Sequence, residues 1–178
     1  MVYSPGMATD LKKYIAEVPD FPKPGVTFKD LSPLLANPEA FTDAVTRISN
    51  WDRAKSAEAV VAPEARGFTW GAAVAMVLKV PFIPVRKPGK LPRKTVSATY
   101  ALEYGTDTLQ MHVDALVRGQ KALIVDDVLA TGGTAEAIAR MVEEMGAVVN
   151  GLAFVVELNF LKGRDKVGKR EVLSLVSY

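Results

Sequence analysis

The sequence of 178 residues contains no cysteine and a single histidine, His112. The lack of cysteine excludes a disulfide scaffold, a thiolate metal site and a cysteine nucleophile, and it suits a reducing compartment such as the cytoplasm. A single histidine argues against a histidine-rich zinc site and weakens any Ser-His-Asp triad. His112 itself is predicted on the polar face of a strand, as a surface or interface residue.

Net charge and long apolar runs are also scarce. The formal net charge is +2, too small to indicate a nucleic-acid partner by itself. No apolar run approaches the roughly 18 residues that span a bilayer, and no basic start with an apolar core marks a secretory signal. We expect neither nucleic acid nor membrane as a partner. Met7 is a candidate natural start, with residues 1–6 as an added leader.

The length suits one globular domain over residues 1–178, and 49% apolar and 24% charged residues are ordinary for such a domain. Strands alternate with helices, which predicts a mainly parallel sheet covered on both faces. The predicted strands are 57–62, 81–85, 109–114, 121–125, 148–156 and 172–176. The predicted helices are 9–18, 67–79, 134–145 and one that begins at Pro38 with Asn37 as its N-cap. Residues 86–97 are predicted to form a loop.

The most informative stretch is 122–134, where an apolar strand is predicted to end in Asp126 and Asp127. A glycine-paired, hydroxyl-rich loop and a helical pattern follow. Carboxylates accept hydrogen bonds from a vicinal diol, and amides at a helix N-terminus bind phosphate. The stretch therefore favours a site for a phosphorylated sugar over a purely structural turn. The glycine motifs of P-loop and dinucleotide-binding proteins are absent.

Polar groups also follow two other predicted strands, at Glu64–Gly67 and at Arg86–Lys87. Ligands of open parallel sheets bind beyond the carboxyl ends of the strands, so these groups are expected to share a crevice with the two aspartates. The basic segment around Lys90 is too short and too poor in aromatics for nucleic acid, and it suits a compact polyanion. A solvated basic loop is the alternative for this segment.

The stretch 125–134 resembles the phosphoribosyl pyrophosphate signature of type I phosphoribosyltransferases. Five further motifs resemble the adenine phosphoribosyltransferases in the same order, so the resemblance covers nearly the whole chain from Pro19. These motifs are residues 19–33, 64–68, 85–92, 102–105 and 161–164. The resemblance implies an α/β type I phosphoribosyltransferase fold, a mainly parallel sheet flanked by helices. It also implies a small N-terminal hood over residues 7–35 and a flexible lid loop.

The resemblance also implies a purine-salvage reaction in which adenine displaces pyrophosphate from phosphoribosyl pyrophosphate and AMP is formed. The cofactor implied is magnesium, held mainly through substrate oxygens rather than by the protein. Two alternatives stay open from the sequence: the same chemistry on hypoxanthine, guanine or xanthine, and a non-catalytic sensor of phosphoribosyl pyrophosphate. The family usually forms homodimers and the expected location is cytoplasmic.

The roles implied for the sugar and the leaving group fall on three segments. Asp126 and Asp127 hold the ribose hydroxyls. The 5′-phosphate is held by Ala130, Thr131, Gly132, Gly133 and Thr134. The pyrophosphate is bound by Glu64, Ala65, Arg66, Arg86, Lys87 and Lys90, with a non-proline cis peptide in the first of these loops. Pro63 departs from the family pattern, in which a small residue is more usual at this position.

The roles implied for the base and the lid fall on two other regions. Adenine is bound by Val26, Thr27, Phe28 and Lys29 on one side and by Leu161 on the other. Glu103 is the candidate catalytic residue, facing the purine nitrogen that does not bond the sugar, and Tyr104 belongs to the lid. Lys29 is a second departure, because arginine is commoner there and a lysine lacks its planar fork. A role in the core is the alternative for Phe28.

Overall fold

The computed structural model describes residues 9–101 and 106–178. Glu103 and Tyr104, the two residues assigned to the lid, lie outside the described residues. The chain divides into two compact units, one that ends at Arg47 and one that runs from Ile48 to Tyr178. In the part of the chain that is described, no helix combines the length and the apolar character needed to cross a bilayer.

The first unit contains a short antiparallel hairpin and the start of a long helix. Its elements are a 3-10 turn over Leu11–Tyr14, β1 (Ala16–Val18), β2 (Phe28–Asp30), α1 (Ser32–Ala36) and α2 (Pro38–Asn50). The predicted N-cap is confirmed, since the Ala40 amide donates to Asn37 Oδ1 at 2.9 Å. The predicted helix over 9–18 is wrong, because residues 16–18 pair instead with β2, from Ala16 opposite Asp30 to Val18 opposite Phe28.

The second unit is built on a five-stranded sheet in which every pairing is parallel. In spatial order the strands are β4 (Phe82–Val85), β3 (Ala59–Pro63), β7 (Lys121–Leu129), β8 (Val148–Glu157) and β9 (Val172–Ser177). The helices of this unit are α3 (Asp52–Lys55), α4 (Arg66–Leu78), α5 (Gly133–Glu144) and α6 (Gly163–Val167). The predicted α/β fold with a mainly parallel sheet is confirmed.

The central strand β7 is longer than predicted. Residues 122–125 are fully buried, as a continuous apolar run in a doubly covered sheet should be. The strand then continues to Leu129 because β8 pairs with it throughout, with Asp126 opposite Phe154 and Leu129 opposite Glu157. The predicted strand over 121–125 is therefore too short, and Asp126 and Asp127 lie within β7, near its carboxyl end.

An antiparallel hairpin of β5 (Thr95–Ala101) and β6 (Thr106–His112) lies beside the carboxyl end of β4. The strand predicted over 109–114 is confirmed at Leu109 and Met111, which are buried while their neighbours are not. Its predicted end is wrong, because β6 ends at His112 and Val113 is exposed. The loop predicted over 86–97 is wrong at its end, because residues 95–97 pair with β6. Arg86 forms a bridge with Gln110, which joins the segment after β4 to the hairpin.

Candidate functional site

A cavity of about 230 Å³ opens where β3, β4 and β7 end. It combines the acid pair, the segment after β3 and part of the basic segment, as the sequence predicted. The lining residues are Pro63, Glu64, Ala65, Arg66, Lys87, Tyr100, Asp107, Leu109, Asp126, Asp127 and Thr134. A neighbouring cavity of about 60 Å³ is lined by the loop 130–134 together with Asp126, Val128, Leu129, Ala135 and Phe154.

The loop 130–134 forms the N-terminal end of α5, which begins at Gly133. Gly132 has φ +79° and lies close to the backbone of Gly163, the first residue of α6. A Cβ added to Gly132 would lie 2.4 Å from the Gly163 carbonyl oxygen. The contact is mutual, since a Cβ on Gly163 would lie 2.3 Å from the Ala130 carbonyl oxygen. Loop amides at the start of a twelve-residue helix suit an anion such as a phosphate.

The two aspartates differ in burial. Asp127 is 4% exposed, whereas Asp126 is half-buried, and the Asp127 amide donates to Asp126 Oδ1 at 2.8 Å. Arg66 Nε lies 2.8 Å from Asp127 Oδ2 without the angles of a hydrogen bond, so that buried oxygen has no hydrogen-bond partner among the described residues. A buried acceptor of this kind is one that a ligand can satisfy.

Burial raises the pKa of the Asp126 carboxyl well above its ordinary value of 3.8, and the neighbouring charge of Asp127 raises it further. Both effects disfavour the ionised form, because the site concentrates negative charge where water is excluded. Hydroxyl groups that donate to these oxygens would relieve that cost. The acid pair is therefore suited to hold a diol.

A glycine makes room for the acid pair. A Cβ on Gly67 would lie 2.7 Å from Asp126 Oδ1 and 2.9 Å from Cδ of Pro63. Pro63, the departure noted in the sequence, ends β3 and packs its ring against this glycine. The peptide bond that follows, between Glu64 and Ala65, is cis, as the resemblance implied.

The cations of the site are paired with carboxylates. Arg86 donates through Nε and Nη2 to Glu64 Oε2 at 2.9 and 2.8 Å, and the Lys87 amide donates to Glu64 Oε1 at 2.7 Å. Burial acts to raise the pKa of Glu64, but the bonds from Lys87 and Arg86 outweigh it and lower that pKa. Glu64 thus positions the Arg86 side chain and the Lys87 backbone, a role that sequence reasoning did not assign. Lys90 does not line the cavity, and its carbonyl accepts a bond from Arg86 at 3.2 Å.

Sequence reasoning missed two residues of the cavity, Tyr100 and Asp107. They face each other across the β5–β6 hairpin. The Tyr100 hydroxyl accepts from Thr134 Oγ1 at 3.2 Å and donates to Asp107 Oδ2 at 3.3 Å. Lys87 Nζ donates to the same carboxylate oxygen at 2.8 Å. The signal for this pair is the register of the hairpin, and the sequence analysis assigned no strand to residues 95–101.

Leu161 lies outside both cavities, in a 3-10 turn over Asn159–Leu161 that follows β8, and its side chain is partly exposed. Helix α6 follows this turn, and its Arg164 donates two hydrogen bonds to the buried carboxylate of Glu157, each at 2.7 Å. Those bonds from Arg164 lower the pKa of Glu157 against the opposing effect of burial. This ion pair holds the backbone around Gly163, which contacts the loop 130–134.

The other residues predicted to bind the base, residues 26–29, lie in the first unit. The rings of Phe28 and Phe21 meet edge to face with centroids 5.2 Å apart. Lys29 Nζ donates to Glu17 at 2.6 Å across the β1–β2 hairpin. The lysine thus makes a single-point ion pair where an arginine would offer a planar fork.

Comparison with known proteins assigns the chain to a family. Residues 32–176 match the family model described as the phosphoribosyl transferase domain. The adenine phosphoribosyltransferase of Desulfitobacterium hafniense is 54% identical over 171 residues, covering 96% of this chain and 99% of that protein.

Solved structures show the same relationship. The adenine phosphoribosyltransferase of Thermoanaerobacter pseudethanolicus superposes with a TM-score of 0.91 at 47% identity, covering 95% of this chain and 98% of that one. The enzyme of Saccharomyces cerevisiae, in complex with an imino-altritol bisphosphate and adenine, has a TM-score of 0.88 at 38% identity, covering 94% and 97%. The chain belongs to the adenine phosphoribosyltransferase family of phosphoribosyl transferase domain proteins.

Proposed function

We propose that this protein transfers the phosphoribosyl group of phosphoribosyl pyrophosphate to adenine, giving AMP and pyrophosphate in purine salvage. The observation that carries the proposal is the shared cavity at the carboxyl ends of the sheet, in which the acid pair meets the phosphate loop and the segment 64–66. The 5′-phosphate, the diol and the diphosphate of this substrate would each meet a complementary group of the site.

The sugar end of the substrate is assigned to β7 and the start of α5. Asp126 and Asp127 accept hydrogen bonds from the two ribose hydroxyls, and the amides and hydroxyls of residues 130–134 hold the 5′-phosphate. The diphosphate lies against Ala65, Arg66 and Lys87, with Arg86 held behind them by Glu64. Binding at three points fixes the anomeric carbon, which is the main contribution of positioning to the rate.

The oxygens of this cavity fit magnesium, because carboxylates are hard ligands and Asp127 Oδ2 lacks a hydrogen-bond partner among the described residues. The described parts of the chain hold no cluster of three or more acidic or imidazole side chains able to bind a metal unaided. Magnesium bound here would take most of its ligands from substrate oxygens. It would supply positive charge that offsets the negative charge of the diphosphate.

The reaction breaks the bond from the anomeric carbon to a pyrophosphate oxygen and forms a bond to a ring nitrogen of adenine. By the family resemblance, the base is proposed to stack on Phe28. Glu103 is proposed to hydrogen-bond the purine nitrogen that does not bond the sugar, which matters most when AMP is the substrate. Tyr104 is proposed to help exclude water as part of the lid.

A competition assay tests the substrate assignment. Purified protein with phosphoribosyl pyrophosphate and magnesium is offered adenine, guanine, hypoxanthine and xanthine together, and the nucleotide products are resolved. AMP is expected as the dominant product, and Thr134→Ala is expected to raise the KM for phosphoribosyl pyrophosphate. A different dominant nucleotide would assign another base, and binding without any nucleotide product would indicate a sensor.

The proposed assembly is a homodimer in the cytoplasm. The cysteine-free sequence suits that reducing compartment. Helix α4 carries no charged residue after Arg66, and its outer face exposes Met76 and Val77 by 75% and 50%. An apolar face of this kind favours cover by a second copy of the chain. Because α4 begins at Arg66, the interface would continue into the diphosphate site.

A further inference from the structure

The hairpin residue Asp107 carries a role that the reaction itself does not assign. Its carboxylate lines the same cavity as Ala65, Arg66 and Lys87. Lys87 Nζ lies 2.8 Å from Asp107 Oδ2, and that bond raises the pKa of Lys87 and lowers the pKa of Asp107. The Lys87 ammonium, which is proposed to bind the diphosphate, is therefore already paired with the Asp107 carboxylate.

Asp107 is the fixed member of this pair. Its Oδ1 accepts from the Thr108 amide at 2.9 Å and its Oδ2 accepts from the Tyr100 hydroxyl at 3.3 Å. The side chain of Asp107 is 21% exposed, whereas that of Lys87 is 55% exposed and rotates about four bonds. The lysine can thus move between two acceptors, while the carboxylate stays in place.

We propose that Asp107 competes with the diphosphate for Lys87 and so hastens the release of pyrophosphate. A diphosphate that enters the site shares or removes the ammonium from Asp107, which leaves a carboxylate beside a polyanion. Like charges at such a distance repel, which weakens binding of the diphosphate. When pyrophosphate departs, Asp107 recovers Lys87 and lowers the barrier to departure. This inference rests on the proposed function, because it needs Lys87 to contact the diphosphate.

Two ligands of the proposed reaction separate this role from a general defect. Pyrophosphate occupies only the leaving-group side, and AMP occupies only the sugar and base sides. Dissociation constants for both are measured by calorimetry, with magnesium present, for the full-length protein and for Asp107→Asn. We expect pyrophosphate to bind about three- to tenfold more tightly to the variant and AMP to bind unchanged. The inhibition constant of pyrophosphate against phosphoribosyl pyrophosphate should fall by the same factor.

The matched control is Asp114→Asn. Asp114 follows the same hairpin and pairs with Arg93, but it is exposed and lies outside the cavity. Its substitution should leave both dissociation constants unchanged. If Asp107→Asn fails to fold, as judged by thermal unfolding, Asp107→Thr removes the same carboxylate with a side chain that suits a strand.

Lys87→Met provides the second arm, alone and combined with Asp107→Asn. Lys87→Met alone should weaken pyrophosphate binding, and in its background Asp107→Asn should bring a smaller gain, because only the repulsion between Asp107 and the diphosphate is then relieved. Equal or weaker pyrophosphate binding by Asp107→Asn would overturn the inference, as would an equal gain with and without Lys87. If Lys87→Met leaves pyrophosphate binding unchanged, the diphosphate assignment itself is wrong and the inference falls with it.

Discussion

At the scale of single residues, the acid pair affects the stability of the fold. Burial and the negative charge of Asp127 disfavour the ionised form of Asp126 and raise the pKa of its carboxyl. A carboxyl whose pKa is raised by folding stabilises the fold fully below about pH 3.8 and loses that contribution as the pH rises through the folded pKa. At pH 7, which is far above 3.8, Asp126 therefore lowers the stability of the protein relative to a carboxyl of ordinary pKa.

Replacing Asp126 with asparagine should accordingly stabilise the protein at pH 7 while weakening phosphoribosyl pyrophosphate binding. The amide keeps an oxygen for the Asp127 amide and carries no charge. We expect a gain of about 1 kcal/mol, or roughly 2–4 °C in Tm, for a chain of this size. Thermal unfolding at pH 7 and near pH 4 measures it, and the gain should shrink at the lower pH.

The comparison with Asp114→Asn controls for a general effect of removing negative charge. Asp114 is exposed, and its bond from Arg93 lowers its pKa, so its loss should bring no gain in Tm at pH 7. A Tm for Asp126→Asn at or below that of the parent protein would contradict the account of strain at the acid pair.

At the scale of elements, the ion pair between Arg164 and Glu157 joins the first turn of α6 to the end of β8. Glu157 is 4% exposed and its carboxylate receives two bonds from Arg164. Arg164→Gln should destabilise the protein by about 1–3 kcal/mol at pH 7, because a buried carboxylate loses its charged partner. Urea unfolding of the two proteins measures this difference.

The pH dependence of that difference has a definite sign. The pKa of Glu157 is lowered by folding, so its stabilising effect is complete above about 4.5 and is lost as the pH falls through the folded value. The stability gap between the parent and Arg164→Gln should therefore narrow below pH 4.5. Arg53→Gln, at an exposed pair with Glu171, should change stability little at any pH. A gap that stays constant with pH would exclude Glu157 as the partner responsible.

The elements that sequence could predict are those specified by local chemistry. The apolar run 121–125 and the Asn37 cap needed no distant partner, and both are present. The failures depended on pairing with remote strands, because β8 extends β7 through the acid pair and β2 converts residues 16–18 into a strand. Tyr100 and Asp107 were missed for the same reason, since the register of a hairpin brings them together. The family motifs identified the other charged residues of the lining, because those motifs carry the chemistry of the site.

At the scale of the whole molecule, the outer face of α4 determines the proposed assembly. Met76→Glu should convert the dimer to a monomer, because a buried carboxylate without a partner opposes association by several kcal/mol. Light scattering after size-exclusion chromatography measures the mass. Val117→Glu is the control, since Val117 is 66% exposed and lies between β6 and β7, outside α4, and its substitution should leave the mass unchanged. A dimer that survives Met76→Glu would place the interface elsewhere.

The mutual contact of Gly132 and Gly163 has a consequence for redesign. Main-chain carbonyl oxygens are the nearest atoms that a Cβ at either glycine would meet, so a substitution at either glycine would displace the loop 130–134. Under the proposed roles, substitutions over Asn159–Leu161 that keep both glycines should change the preference for the base more than the binding of the sugar phosphate. Variant libraries aimed at new nucleotides should randomise these positions and keep both glycines constant.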